Sequence, residues 1–279
     1  MVQDAYGTRR RRHSRAACRG LIAAALACAL SPALAAPKPL PPANDARCRA
    51  GASQHPFMPL LPASKRALTE TNRLTIVALG SSTTAGSGAS EANSSYPAVL
   101  ETELRRRLPG REVTVINKGV GGQTAYEMLL RIESDVIAEK PSLVIWQTAA
   151  NDAIRDIGEE KLAKILKKGI RQLRGAGIDP VLMDLQWLPR EGRYPKYDDY
   201  RAVLARTAAE NNVSVFPRYG MMRTWSRTRQ FTPEELVGMD GDLHVVDAGY
   251  RCLAVRLADG IAAALTGTRQ DGVAAKPGN

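Results

Sequence analysis

A chain of 279 residues with 44% hydrophobic and 24% charged residues has the composition of a globular protein, and it is long enough for one sizeable core. Its formal charge is +11, but the basic residues are spread over predicted helices rather than gathered beside aromatic residues. This distribution argues against a nucleic-acid-binding protein. No group of Cys and His has metal-ligand spacing, so no metal and no other cofactor is expected.

The first 35 residues have the features of a secretory signal peptide. Arg9 to Arg12 form a positive start, and residues 21–30 are a short apolar run. Residues 33–35, Ala-Leu-Ala, place small residues at the spacing that cleavage requires. Because the apolar run is too short to span a bilayer, we expect no stable membrane insertion after cleavage. The alternatives are an uncleaved anchor and a lipid-modified Cys28. The prediction is a secreted or periplasmic protein.

Cysteine usage agrees with export. Two of the four cysteines lie in the predicted signal peptide, which leaves Cys48 and Cys252. In an oxidising compartment such a pair suggests one disulfide, which would pin the N-terminal segment to the C-terminal helix. Two buried free thiols are the alternative.

Strand-like and helix-like segments alternate through most of the chain. Residues 36–70 are rich in Pro and Ala and predict an irregular lead-in, and residues 269–279 form a polar tail. Short apolar runs predict strands at 74–79, 113–116, 143–146, 181–185 and 213–216. Apolar residues at helical spacing predict helices at 96–108, 125–138, 161–173, 200–209 and 249–265.

This alternation is typical of βαβ units. It predicts a single domain over residues 71–268 with a five-stranded parallel sheet between two helical layers, an α/β/α sandwich. In such folds chemistry gathers at the carboxyl ends of the strands. The residues that follow each predicted strand are therefore the first candidates for a site.

Small and polar residues follow the first two predicted strands. The first strand ends at Gly80-Ser81-Ser82, and the second is followed by a glycine-rich loop from Gly119 to Gly122. A serine at a strand-to-helix turn projects its hydroxyl into the cleft, near the positive end of a helix. A glycine lets a backbone N–H approach a developing oxyanion without obstruction by a side chain.

The third strand and the last helix contribute the remaining groups. Asn151 follows the third strand, and its side-chain amide is a second neutral donor for an oxyanion. His244 precedes the last helix, in a loop that also holds Asp240 and Asp242. A histidine near an acid at the mouth of the sheet supplies a general base. The pattern predicts acyl transfer with a serine nucleophile.

These four blocks resemble the SGNH (GDSL-like) hydrolases, a family named for Ser, Gly, Asn and His in separate motifs. The resemblance covers roughly residues 74–265 and implies a flavodoxin-like fold. It implies Ser82 as the nucleophile and His244 as the base. It also implies an oxyanion hole formed by the Ser82 N–H, Gly122 and Asn151.

Three positions depart from the family pattern. Ser81 stands where the first motif often has Asp, and Ala149 stands where the third motif usually has Gly. The triad acid normally lies three residues before the histidine, and Gly241 occupies that position. Asp240 and Asp242 flank it, and either could orient the imidazole if the loop is remodelled. We favour Asp240 slightly, as though one residue had been inserted after it.

Other classes of protein fit these loops less well. The Gly80 loop lacks the Gly-Lys-Ser/Thr ending of a P-loop, and Thr124 stands where a dinucleotide-binding loop has its third glycine. An α/β-hydrolase elbow needs glycine at Thr84 and lies in mid-chain. We keep two alternatives: a carbohydrate-binding module that has lost activity, which Ala149 favours, and a lipase or thioesterase of the same fold.

The expected substrate is a short-acyl ester, with acetyl on a cell-envelope or extracellular carbohydrate as the first choice. Exported bacterial members of the resembling family often deacetylate carbohydrates, and residues 36–279 include no long apolar lid for a lipid tail. Gln147 and Trp187, at or after strand ends, are predicted to contact the substrate. Transfer to a second sugar stays open. We expect a monomer whose partner is a small-molecule or polysaccharide ester.

Overall fold

The computed structural model describes residues 46–190, 192–238 and 243–267. The predicted signal peptide, the polar tail and the two candidate triad acids, Asp240 and Asp242, lie outside the described residues.

Five parallel strands form one sheet in the order β2-β1-β3-β4-β5. Their bounds are β1 Arg73–Gly80, β2 Glu112–Gly119, β3 Leu143–Gln147, β4 Asp179–Met183 and β5 Ser214–Phe216. β3 and β4 are buried along their whole length and β1 along most of it, because helices cover both faces of the central strands. The predicted five-stranded parallel sheet is confirmed, and its strand order is that of flavodoxin-like folds.

Twelve α-helical segments lie within the described residues. They are α1 Ala46–Arg49, α2 Pro62–Thr71, α3 Ser82–Ala85, α4 Tyr96–Arg107, α5 Ala125–Leu130, α6 Ile132–Asp135, α7 Ala150–Arg155, α8 Glu159–Gly175, α9 Tyr197–Glu210, α10 Arg218–Arg227, α11 Pro233–Val237 and α12 Asp247–Thr266. Short 3₁₀ turns occur at Ala52–Gln54, Ala92–Ser94 and Ile137–Glu139.

The helices form a layer on each face of the sheet. Trp146 of β3 packs against α8, where a Cβ built on Gly169 would lie only 2.5 Å from the indole ring. Glycine therefore permits the close approach of that helix. The strand register aligns Val215 of β5 with Trp146, so both side chains lie on the same face of the sheet. Phe216, the next residue, therefore lies on the opposite face. There Phe216 packs edge-on against Phe57, which contacts α12. The predicted three-layer sandwich is confirmed.

The lead-in contains more regular structure than the sequence predicts. Instead of being irregular throughout, it includes α2, which begins at Pro62. The Ala63 and Ser64 N–H groups at the start of α2 donate to the carboxylate of Asp179, at 3.1 and 2.8 Å. The cap of this helix comes from a strand more than a hundred residues away, so local sequence cannot reveal it.

The predicted helix at 125–138 is interrupted. It is divided into α5, α6 and a 3₁₀ turn, with the first break at Arg131. The Arg131 guanidinium donates to the carbonyl oxygens of Gly80 and Lys118, at 3.1 and 2.9 Å, and to Gln123 Oε1 at 2.7 Å. These contacts hold the arginine against the strand ends.

A disulfide joins Cys48 to Cys252, whose Cα atoms lie 4.8 Å apart. It connects α1 to α12, as expected from the cysteine count. Arg49 strengthens the same junction by pairing with Asp259 of α12 at 2.7 Å. Within the described part of the chain, no helix has the length and apolar character needed to cross a membrane.

Candidate active site

Ser82 is the first residue of α3, directly after β1. Ser81 is the N-cap, and the Ser82 carbonyl accepts hydrogen bonds from the Gly86 and Ser87 N–H groups. The Ser82 side chain is partly exposed, whereas Thr83 and Thr84 behind it are buried. The turn thus leaves Ser82 partly exposed at the carboxyl edge of the sheet and buries the next two residues.

Gln147, the last residue of β3, supports this turn. Its Oε1 accepts from Ser81 N at 2.9 Å, Ser81 Oγ at 3.2 Å and Thr84 Oγ1 at 3.1 Å. Thr84 also shares a hydrogen bond with the hydroxyl of Tyr96, whose pKa is raised to about 12 by complete burial. Gln147 is 1% exposed, so it supports the serine turn from within the core.

The glycine-rich loop after β2 lies next to the serine turn. The Val120 N–H donates to the Gly80 carbonyl at 3.0 Å, which places the two loops side by side. Gly122 has φ of 77°, a left-handed conformation that L side chains rarely adopt. A Cβ on Gly122 would have Arg155 Nη2, at 3.6 Å, as its nearest contact. Backbone conformation, not crowding, therefore requires glycine here.

Three side chains of α7 hold the glycine-rich loop. Asn151 Nδ2 donates to the Gln123 carbonyl at 2.8 Å, and Arg155 Nη2 donates to the Gly122 carbonyl at 2.8 Å. The carboxylate of Asp152 accepts from the Ala125 N–H at 3.0 Å. Because a carbonyl can only accept, the group of Asn151 that faces Gln123 must be its NH₂. One N–H of that amide is therefore committed to Gln123.

Asp152 is a buried carboxyl group with no exposed surface. Burial raises its pKa to about 6, although the backbone hydrogen bond from Ala125 and the charge of Arg155 act in the opposite direction. Glu127 adds a smaller upward contribution. Asp152 directly follows Asn151 in the sequence, and it accepts from the first N–H of α5, just after the glycine-rich loop.

Ala149 is the N-cap of α7 and has φ of 71°. A residue other than glycine is uncommon in this left-handed region, and the conformation costs of the order of 1 kcal/mol in stability. Its side chain is buried. The departure from the family's glycine therefore adds backbone strain two residues before Asn151, yet Asn151 still reaches the carbonyl of Gln123.

The loop of His244 packs against the segment that follows Ser82. A Cβ built on Gly88 would lie 3.2 Å from the Cβ of His244. The carboxylate of Asp247, at the start of α12, accepts from Ser90 N at 2.8 Å and from Ser90 Oγ at 2.5 Å. These contacts bring the histidine loop to the serine side of the sheet edge.

The described residues of the four sequence motifs thus meet at one edge of the sheet, each loop touching the next. The glycine-rich loop contacts the serine loop at Gly80, and it contacts the asparagine loop at Gln123. The serine loop contacts the histidine loop at Gly88. Asp240 and Asp242 lie outside the described residues, so the choice of triad acid stays a prediction. No group of metal-ligating side chains occurs within the described ranges.

The two residues predicted to contact substrate are largely enclosed. Trp187 is 6% exposed, and Gln147 lies under the serine turn. Tyr194, which also follows a strand end, lines a separate pocket of about 450 Å³ with Tyr197 and Arg201. None of Ser82, Gly122, Asn151 or His244 lines that pocket.

Comparison with known proteins identifies the family of this chain. The model of the non-GDSL lipase-like family matches residues 47–267, which is most of the chain. The chain belongs to this family. The non-GDSL lipase-like assignment fits the first motif, in which Ser81 replaces the Asp of Gly-Asp-Ser. Together with the named relatives, it supports the expected SGNH-type hydrolase fold.

Named relatives of this non-GDSL lipase-like protein are esterases and lipolytic enzymes. Thioesterase 1/protease 1/lysophospholipase L1 of Escherichia coli (strain K12) is 24% identical over 144 residues, or 51% of this chain and 65% of the relative. The match therefore spans less than two thirds of that relative. The structure of a lipolytic protein of the G-D-S-L family from Desulfitobacterium hafniense DCB-2 matches with TM-score 0.53 and 25% identity, over 66% of this chain and 97% of that one.

A second solved structure shares the fold. It is a two-domain esterase active on acetylated mannans, co-crystallised with mannopentaose, with TM-score 0.63 and 21% identity. The match covers 75% of this chain and 55% of that chain.

Proposed function

We propose that this protein is a carboxylic ester hydrolase with Ser82 as nucleophile and His244 as general base. The observation that carries the proposal is the contact of all four motif loops at the carboxyl edge of the sheet. Asn151 provides the most specific support, because its amide is fixed by the carbonyl of Gln123 and keeps one N–H for a substrate.

In the proposed reaction His244 takes the proton of Ser82 as Oγ attacks the carbonyl carbon of the ester. The Ser82 N–H, the Gly122 N–H and Asn151 Nδ2 hold the oxyanion of the tetrahedral intermediate. His244 then gives the proton to the leaving alcohol, and an acyl-enzyme remains. Water activated by His244 releases the acid and restores Ser82. Asp240 or Asp242 orients the imidazole, and comparing Asp240→Asn with Asp242→Asn distinguishes them.

For the substrate we propose a short-acyl ester, with acetyl on a carbohydrate as first choice. The fold shared with an esterase active on acetylated mannans supports this choice. An exposed aromatic side chain beside the glycine-rich loop supports it further. Tyr126 is 48% exposed, four residues after Gly122, and Lys161 Nζ lies 5.9 Å from the centre of its ring. A partly exposed aromatic ring suits the apolar side of a sugar ring. Lipase and thioesterase activity are the competing outcomes, given the name of the E. coli relative.

We also propose that the protein is exported. The proposal rests on the positive start, apolar run and small residues of positions 1–35. The Cys48–Cys252 disulfide supports it, because such bonds persist in oxidising compartments. Cell fractionation and the mass of the purified protein test it: cytoplasmic protein carrying an intact N-terminus would contradict export.

The experiment that tests the enzymatic proposal is hydrolysis of p-nitrophenyl esters from acetate to octanoate by the purified protein. Ser82→Ala and His244→Ala should each lower kcat by about a thousandfold or more. Ser134→Ala and His55→Gln are matched controls and should stay within about twofold, since neither residue belongs to the four motif loops. Activity that falls with acyl length supports the short-acyl assignment. Turnover of every ester no greater than that of Ser82→Ala would favour a binding module.

A further inference from the structure

The loop before His244 and the turn after Ser82 meet at one buried side chain, Gln186. Gln186 follows β4 and is 2% exposed. Its Nε2 donates to the carbonyl of Leu243, the residue before His244, at 2.5 Å. Its Oε1 lies 3.5 Å from the Oγ1 of Thr83, the residue after Ser82. One amide therefore touches the chain neighbours of both proposed catalytic groups.

Gln186 is itself fixed from outside the site. Its backbone carbonyl accepts a hydrogen bond from the hydroxyl of Tyr197, the first residue of α9, at 2.9 Å. Complete burial raises the pKa of Tyr197, so the hydroxyl stays a donor at any physiological pH. The side chain of Gln186 thus reaches two loops from the segment that follows β4.

We propose that Gln186 is a positioning residue that sets the distance between Ser82 and His244. It acts through Thr83 and Leu243 and does not contact substrate. This proposal rests on the proposed function, since it assigns a role relative to that pair of residues.

The chemistry of the amide explains why glutamine is needed at this position. The Leu243 carbonyl requires a donor and the Thr83 hydroxyl can donate to an acceptor, and an amide supplies both at one side chain. Glutamate has the same shape, but an ionised carboxylate cannot donate to a carbonyl. Its oxygens would therefore repel the carbonyl oxygen of Leu243. Methionine has a similar length and offers neither function. Both substitutions preserve volume while they release the histidine loop.

Release of this loop is expected to affect catalysis more than binding. Misplacement of a catalytic group by about 1 Å can cost on the order of a hundredfold in rate. Because Gln186 is buried away from substrate, the binding of the ester should change little.

The test measures kcat and KM for p-nitrophenyl acetate, together with the rate at which a fluorophosphonate labels Ser82. Gln186→Glu and Gln186→Met should lower kcat and the labelling rate in parallel by about tenfold or more, with KM within about threefold. Labelling needs an activated serine but no carbohydrate or acyl recognition, so it isolates the Ser82–His244 geometry.

Two matched variants separate this role from general stability. Tyr197→Phe removes the hydrogen bond to the Gln186 backbone but keeps both contacts of its amide, so it should lower kcat less than Gln186→Met does. Thr83→Val removes only the longer contact, between Thr83 Oγ1 and Gln186 Oε1, and should lower kcat less than the Gln186 substitutions do. If Gln186→Glu does not fold, Gln186→Met and Thr83→Val combined in a double-mutant cycle give the same information.

Folded Gln186→Glu and Gln186→Met proteins with parental kcat and labelling rate would overturn the positioning role. An unmodified protein with no ester hydrolysis and no labelling would instead overturn the proposed function. The two failures are therefore distinguished by the behaviour of the unmodified protein.

Discussion

The side-chain oxygen of Gln147 lies 2.9 Å from the backbone nitrogen of Ser81, directly before the proposed nucleophile. The same oxygen also accepts from Ser81 Oγ and Thr84 Oγ1. A single acceptor at the end of β3 thus fixes the conformation of the turn that ends β1.

Removal of this acceptor should be costly. Gln147→Ala removes the acceptor of the buried Ser81 N–H and Ser81 hydroxyl, whereas Thr84 Oγ1 keeps its bond to Tyr96. Each unpaired buried donor costs about 1–3 kcal/mol unless the turn rearranges. We expect the free energy of unfolding to fall by at least about 2 kcal/mol and kcat to fall about tenfold or more. Urea denaturation and ester hydrolysis measure the two effects. Gln172→Ala, on the exposed side of α8, is the control and should change neither.

Asp152 should make stability depend on pH in a defined direction. Its pKa is about 6 in the fold against an ordinary 3.8, so the folded protein holds the proton more tightly than the unfolded chain. The stabilising contribution of the protonated form is therefore present at low pH and is lost as the pH rises from about 4 to 6.

Asp152→Asn should remove that pH dependence. The free energy of unfolding of the variant minus that of the parent should increase by up to about 3 kcal/mol as the pH rises from 4 to 8. Urea denaturation across this range measures the difference. A constant gap between variant and parent at all pH values would show that the carboxyl group titrates normally.

The left-handed backbone at Ala149 predicts an unusual response to glycine. Ala149→Gly and Ala153→Gly each remove one buried methyl from α7 or its cap. Only the first relieves strain, while the second adds flexibility to a helix. We expect Ala153→Gly to be more destabilising by about 1–2 kcal/mol. Thermal or urea denaturation of both variants decides, and equal losses would argue against a strained Ala149.

Tyr126 tests the carbohydrate part of the proposal. Tyr126→Ala should raise KM for acetylated mannan or xylan oligosaccharides several-fold and leave p-nitrophenyl acetate within about twofold. Leu130→Ala, which removes a more exposed apolar side chain from the same helix, is the control and should affect neither substrate. An equal effect of Tyr126→Ala on both substrates would point to a general change in the glycine-rich loop.

The disulfide should contribute strongly to stability. Joint replacement of Cys48 and Cys252 by alanine should lower the free energy of unfolding by about 2–5 kcal/mol, because the bond closes a long loop in the unfolded chain. Dithiothreitol should lower the stability of the parent by a similar amount and leave the double variant unchanged. Insensitivity of the parent to the reductant, with the bond shown to be reduced, would contradict this expectation.

The strands and the order of the motifs could be predicted because both are local. Apolar runs such as 74–79 and 143–146 identify buried strands, and the carboxyl-end rule then places Ser82 and Asn151 at one edge. The supporting contacts are not local. Gln147 ends a strand and Gln186 follows one, a pattern that suggests a cleft surface as readily as a buried support.

Two errors in the predicted elements have the same physical origin. Asp179 caps α2 from the far side of the sequence, and Arg131 leaves its helix to bind carbonyl oxygens at the ends of β1 and β2. Helix periodicity records the face that is buried, but it does not record which distant polar group satisfies a backbone end. Such pairings become visible only when the strands are placed in order.

Cys48 and Cys252 are 204 positions apart, so the bond between them closes a covalent ring that contains almost the whole of the described fold. In the export that we propose, nearly the full chain must cross the membrane before this ring can close. Closure then comes late in maturation, after Cys252 has crossed. Once it is closed, a single cut in any loop between those cysteines leaves both fragments tethered, so proteolytic nicking of one exposed loop would not release part of the site.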